Sequence, residues 1–247
     1  MYYIFLKNWS KVFIFLKIYA IIKISKNITY FQKTNSGGSN MKDTNYMIKE
    51  IAETFKGYSI TKINDSIEQV VNNSNKTNSN FDDFKNYETV KIWGWKDIKD
   101  YFKNKKVDEK CNCINISRKY KKNIRYVQKG DLVFPVIFSK DSFDIIYIDE
   151  EPEEKYIYNE SVLVIRVTKP NIDSKYIYIM CANNRKVQNS LFQLNDRNKK
   201  VISRLTKEIL SKLEIPRLTE VKRKKIIGEY NKLKIQQNKF NNMIENI

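Results

Sequence analysis

The sequence predicts an α/β (α+β) domain followed by a long coiled-coil-like helix, and three observations carry that expectation. Runs rich in β-branched and aromatic residues at 90–95, 131–138 and 156–167 alternate with segments of helical spacing at 174–195 and 204–213. Beyond Pro216, apolar side chains recur every seven positions. Hydrophobic residues make up 41% of the 247-residue chain and aromatics 13%, which is enough to build a sizeable core.

Three segments follow from charge and spacing: a basic apolar leader at 1–40, a domain at 41–216 and a helix at 217–247. The leader holds six lysines and no acid. Its apolar clusters, Tyr2–Leu6, Val12–Leu16 and Ile18–Ile22, are broken by lysine too often to span a bilayer. One reading is an amphipathic or signal-like segment. The other is a mis-assigned start: Ser36-Gly37-Gly38-Ser39-Asn40 precedes Met41, and Gly-Gly-Ser back-translates to a string resembling a bacterial ribosome-binding site. Met41 is then the expected natural start.

Within the domain, Met47, Ile51 and Phe55 fall four apart and predict a short amphipathic helix over Tyr46–Phe55, with Gly57 as its stop. Asn72–Asn80 is a polar loop with nothing to bury. Val90–Trp95 reads as a strand and Trp95–Phe102 as a turn into a short helix. Tyr126-Val127 and Asp131–Phe138 read as β-runs about the turn Lys129-Gly130-Asp131, and Pro135 marks the second as an edge or bulged strand. Phe143–Ile148 and Tyr156–Val167 predict further strands around the acidic turn Asp149–Glu154. Leu205, Ile209, Leu210 and Leu213 define one helical face, and Pro216 then breaks the chain. In the last segment Ile226, Leu233, Phe240 and Ile247 repeat every seven residues, with Tyr230, Gln237 and Ile244 four residues after the first three. These are d and a positions of a coiled-coil arm that meets a partner helix, Gln237 trading stability for register. A helix packed on its own domain shows a similar stripe.

The chain carries 46 Lys+Arg against 28 Asp+Glu, a formal charge of +18, which points to a polyanionic partner. Histidine is absent, so Ser-His-Asp and Cys-His nucleophiles, HExxH zinc sites and histidine general bases are excluded. The sequence holds no phosphate-binding glycine loop. Cys111, Cys113 and Cys181 suit neither a disulfide scaffold nor a tetrahedral zinc site, so no metal and no cofactor are expected, and the compartment is reducing and cytoplasmic. One nuclease-like pattern exists, Asp144 followed by Glu153 and Lys155, in which two carboxylates would hold Mg²⁺ beside a lysine. The plainer reading is a solvated acidic turn. Basic residues gather in three places: Arg118, Lys119, Lys121, Lys122, Arg125 and Lys129, an acid-free run with Tyr120 and Tyr126 among them; Arg197, Lys199, Lys200 and Arg204; and Lys222–Lys225. Cations neutralise phosphates and tyrosine stacks on bases or bonds to phosphate, so Arg118, Lys119, Tyr120, Lys121, Lys122, Arg125, Arg197, Lys199, Lys200 and Arg204 are the candidate DNA-binding residues.

The order of local phrases resembles the specificity (S) subunit of type I restriction–modification systems, in a half-length form with one target recognition domain and one spacer helix. Ile48–Ser59 resembles the domain opening, Lys91–Ile98 a strand ending in an "x-Asp-Ile" turn, and Lys129–Phe134 the "Gly-Asp-Ile-Leu" strand opening. Ser161–Arg166 resembles the later strand ending in Arg, and Lys175–Val187 the helix after it. Ile202–Leu210 with Leu213–Pro216 resembles the exit into the spacer helix. The residues after Pro216 depart from the family by lacking a second proline and a glutamine.

The resemblance implies a non-catalytic subunit that reads one half of a split site in double-stranded DNA. It further implies docking of adenine methyltransferase (modification) subunits, and of a restriction subunit where one is present. A half-length chain implies a homodimer, or pairing with another half-subunit, through antiparallel helices. No membrane partner is implied. A Mg-dependent nuclease and a non-specific basic DNA-binding adaptor stay open as alternatives on the residues alone.

Overall fold

The computed structural model describes residues 45–59, 87–104, 113–117, 124–139, 143–195 and 202–245. The leader and Asn72–Asn80 lie outside the described residues. An α/β (α+β) chain ending in a long helix is what forms. It divides into two compact units, each described by itself.

The larger unit comprises Met47–Ser174 and Leu191–Leu213. Its main sheet is antiparallel in the order β2 (Ala52–Lys56), β9 (Val162–Val167), β5 (Leu132–Pro135), β7 (Ile146–Tyr147). Val162, Leu163, Val164 and Ile165 are all buried, so both faces of β9 are covered, which is why its sequence is an unbroken apolar run. A second sheet places β3 (Tyr87–Trp93) antiparallel to β4 (Cys113–Ser117) and parallel to β8 (Tyr156–Tyr158). Trp93 stacks on Tyr156 with ring centroids 3.7 Å apart. Tyr101 and Phe102 of α2 (Trp95–Asn104) close over the same indole. This aromatic cluster shares a core with Phe55, Val133, Val162 and Val164 of the main sheet. Each such buried side chain stabilises by roughly 1.5–3 kcal/mol. β6 (Ile137–Ser139) pairs with β10 (Ile202–Arg204).

Tyr46–Phe55 is not the helix its spacing predicts. The helical part, α1, is the single turn Ile48–Ile51, and β2 begins at Ala52, where pairing with β9 outweighs local periodicity. Gly57 is accordingly no helix stop. A Cβ there would lie 1.8 Å from the Asn159 carbonyl oxygen, so only glycine lets the two backbones approach. At this crossing the chain passes from one sheet to the other. Gly57 N–H donates to Val162 O, Tyr58 N–H to Tyr158 O, and Asn159 N–H to Trp93 O. Pro135 ends an interior strand, not an edge strand. Its neighbour β7 pairs only with Leu132 and Val133, so the missing N–H breaks no ladder bond. The strand expected over Phe143–Ile148 shortens to β7, because Phe143 packs instead against Phe138 and Phe192. The segment 204–213 keeps only α5 (Lys207–Ser211), capped by the Thr206 hydroxyl. Leu205, Leu210 and Leu213 are nonetheless buried.

The second unit joins Lys175–Ser190 to the residues from Glu214 onward and to Tyr46. Its helices are α3 (Ser174–Asn183), the part of α4 (Arg185–Asn195) up to Ser190, and α6 (Glu220–Glu245), and β11 (Glu214–Ile215) pairs with β1 (Tyr46–Met47). Asn184 separates α3 from α4 and caps the latter, its side-chain oxygen accepting the Lys186 and Val187 N–H groups at 3.0 and 3.3 Å. Tyr176 is fully buried and donates to Pro216 O at 2.6 Å.

Candidate functional site

The candidate cations fall unevenly on the fold. Arg118, Lys119, Tyr120, Lys121, Lys122, Arg197, Lys199 and Lys200 lie outside the described residues. Arg125 is exposed. Its guanidinium pairs with Glu53 and stands 5.2 Å above the Phe55 ring, and its backbone N–H donates to Tyr58 Oη. Arg204 is exposed on β10, opposite Ile137, which is itself 65% exposed. In the Lys222–Lys225 run, Arg223 is buried and donates to Leu218 O, and Lys224 pairs with Glu220 one turn earlier.

A site the charge clusters do not reveal is built where β5 begins and β9 ends. The register sets Leu132 opposite Ile165, which brings Asp131 beside Arg166. Arg166 grips Asp131 with two parallel bonds: Nε to Oδ1 at 2.7 Å and Nη2 to Oδ2 at 2.7 Å. Tyr158 Oη donates to Asp131 Oδ2 at 2.7 Å, and the Gln128 N–H donates to the same oxygen. Burial pushes the Asp131 carboxyl above its ordinary range, and Arg166, Tyr158 and the Gln128 N–H pull it back. Burial, reinforced by the Asp131 charge, holds the Tyr158 hydroxyl well above the usual phenol range, so it stays a donor.

This cluster fixes the turn Gln128–Gly130 from beneath. Arg166 also donates to Tyr126 O at 2.6 Å, Gly130 N–H to Ile148 O, and Lys129 N–H to the Glu151 carboxylate. Gly130 has φ +91°, the left-handed region the turn requires. Facing the turn is the chain leaving β9, pinned by Thr168 and Lys169 N–H bonds to Ile51 O. A cleft of about 220 Å³ lies between them, lined by Gln128, Lys129, Arg166, Thr168 and Lys169 among others.

The residues of the nuclease-like pattern are engaged or exposed. Lys155 pairs with Glu88 and stands over the Tyr126 ring, Glu153 is exposed, and Asp144 accepts the Ile145 N–H. Among the described residues no three carboxylate or cysteine side chains gather as a metal would require. Cys181 is buried, which pushes its thiol up to about 12, whereas Cys113 is exposed. No helix among the described residues is long and apolar enough to cross a membrane.

Along α6 the heptad positions split. Ile226 is buried, and Tyr230 meets Tyr178 edge-on at 6.0 Å with the hydroxyls 3.4 Å apart. Leu233 is half-buried and Gln237 exposed, as are Ile235 and Met243. Nothing is described of the Phe240 and Ile244 side chains or of Ile247.

The larger unit is thus a β-rich scaffold that holds a rigid basic turn, attached to a chain that ends in a long helix. No family model matches the chain, and no curated protein matches it either. Solved structures do. The chain is similar to the HsdS subunit from Thermoanaerobacter tengcongensis at 8% identity and TM-score 0.48, covering 93% of this chain and 46% of that one. A chain from a structure of type I R-M complex assembly and conformational transition is similar at 9% identity and TM-score 0.45, covering 95% and 50%. The type I restriction-modification S subunit from M. genitalium is similar at 14% identity and TM-score 0.37, covering 85% and 41%. The chain spans about half the length of these structures.

Proposed function

We propose that this chain is a non-catalytic DNA sequence-recognition subunit of a type I restriction–modification system. In this reading 41–216 acts as the target recognition domain and reads half of a split site in double-stranded DNA. The observation that supports it is the joining of two phrases by which the sequence resembles S subunits. The Gly130-Asp131 strand opening and the strand ending in Arg166 meet in one buried ion pair, beneath an exposed basic turn. Arg125 and Arg204 are further exposed cations of the same unit. The helix at 217–247 pairs with the same helix of a second copy, or of another half-subunit, through Leu233, Gln237, Phe240, Ile244 and Ile247. Adenine methyltransferase subunits, and a restriction subunit where present, dock on that helical pair, and the assembly works in the cytoplasm.

Selection from a random duplex library tests the reading. The purified chain, alone or with its methyltransferase partner, should enrich one motif and prefer it over unrelated duplex by at least about a thousandfold. Enrichment of no motif would refute it in favour of a non-specific adaptor, and duplex cleavage by the chain with Mg²⁺ would refute it in favour of a nuclease.

A further inference from the structure

We infer that the cleft between the turn Gln128–Gly130 and the chain at Thr168–Pro170 is a phosphate-holding site for the duplex backbone, with Lys129 and Lys169 as its two clamps. The inference deepens the DNA-recognition reading and rests on it. Three of the residues lining the cleft are cations, Lys129, Arg166 and Lys169, and none of its described lining residues is acidic. That separation is notable beside an acidic run. The Glu151 carboxylate is tied to the Lys129 backbone and does not line the cleft.

Arg166 is spent on Asp131 and is only 16% exposed, so its charge is largely matched. The unmatched charge of the cleft comes from Lys129 and Lys169, both exposed. Their backbones are immobilised, Lys129 by Glu151 and Lys169 by Ile51 O. A phosphodiester entering between them loses its counterions to two ammonium groups while the walls stay in place. Gln128 adds a polar side chain for the remaining oxygens, while the Thr168 hydroxyl donates to Ile51 O and helps hold that wall. Lys129 closes the first basic run, and Lys169 lies outside all three. The cleft owes its charge to the β5–β9 register, which brings residues 129 and 169 to opposite walls.

Salt dependence of binding decides the matter. Affinity of the full chain for a duplex of about 30 base pairs would be measured by anisotropy over a salt series, for wild type, K129A, K169A and K129A/K169A. Each single change should reduce the slope of log K against log salt by about 0.9, and the pair by about 1.8. The matched control K207A/K212A removes two exposed lysines, one opening α5 and one at its C-cap, and should leave the slope unaltered. Thermal melting and circular dichroism verify that each variant is folded. Wild-type binding with an unchanged slope in K129A/K169A overturns the cleft and leaves the DNA reading intact. An equal fall in the control overturns it too, since the effect would then be overall charge. If the wild-type chain binds no duplex even at low salt, the DNA reading falls and the cleft with it.

Discussion

Replacing Arg166 with methionine removes both donors to Asp131 and the bond to Tyr126 O, while an unbranched apolar stem is kept beside the Phe55 ring. The Asp131 side chain is 0% exposed, so water cannot take the place of the guanidinium. Tyr158 and the Gln128 N–H remain, two donors where four stood. Removing one partner of a buried pair costs about 3–5 kcal/mol, a large part of the roughly 5–15 kcal/mol that holds a domain together. The pH dependence follows from the direction of the Asp131 shift. Burial already raises this carboxyl in the folded state, and losing Arg166 raises it further. A folded pKa above the unfolded one gives a contribution present in acid and lost as pH rises through the folded value. The deficit of R166M should therefore be smaller at about pH 4.5 than at about pH 7.5. D131N/R166M, which removes the stranded charge, should recover much of the loss. Urea unfolding followed by tryptophan fluorescence at both pH values supplies the measurement. A loss under about 1 kcal/mol at neutral pH, a deficit equal at both pH values, or strictly additive variants would refute the reasoning.

Two glycines should respond oppositely to alanine. G57A forces a methyl into the Asn159 carbonyl and should lose about 3 kcal/mol or fail to fold, whereas G228A has nothing within 4 Å in α6 and should gain about 0.5–1 kcal/mol, both read from urea midpoints. N184A uncaps α4 at a buried position and should cost about 1–2 kcal/mol in thermal or urea melts, with N184S recovering part of it. Iodoacetamide labelling with peptide mapping at mildly alkaline pH should modify Cys113 in the native chain and reach Cys181 only after denaturation. Burial and a thiol pushed up to about 12 protect Cys181, and native labelling there would contradict its place in the core.

Some of this was legible in the sequence and some was not, for identifiable reasons. β9 and α6 announce themselves because a strand buried on both faces must be apolar throughout, and because α6 follows the break at Pro216 with apolar residues three and four apart. The segment 46–55 misleads because Met47, Ile51 and Phe55 satisfy helical spacing up to Ile51, and the pairing that turns Ala52 into a strand lies beyond residue 160. Gly57 and Pro135 were visible as constraints, but what each accommodates depends on neighbours distant in sequence. The candidate site divides the same way. Arg125 and Arg204 stand out as cations. Asp131 and Arg166 lie in two phrases the sequence marks separately, Lys169 lies in an unremarkable run, and the three come together only through the β5–β9 register. Each half was visible, a Gly-Asp turn entering one apolar strand and an arginine closing another, but nothing local says that the two strands are neighbours.

The pairing of β2 with β9 sets an order of events as well as a structure. Ala52 meets Val167 and Lys56 meets Leu163, so an early strand waits for partners more than a hundred residues later. At about 5–20 residues per second on a ribosome, β2 spends several seconds outside the tunnel with an open edge before its neighbour is made. Closing so long a loop also slows refolding, since its entropy is lost before the contacts that offset it are gained. Short β2, with Glu53 inside it and Lys56 at its end, is suited to that interval, because charges on an unpaired strand discourage pairing with the wrong chain.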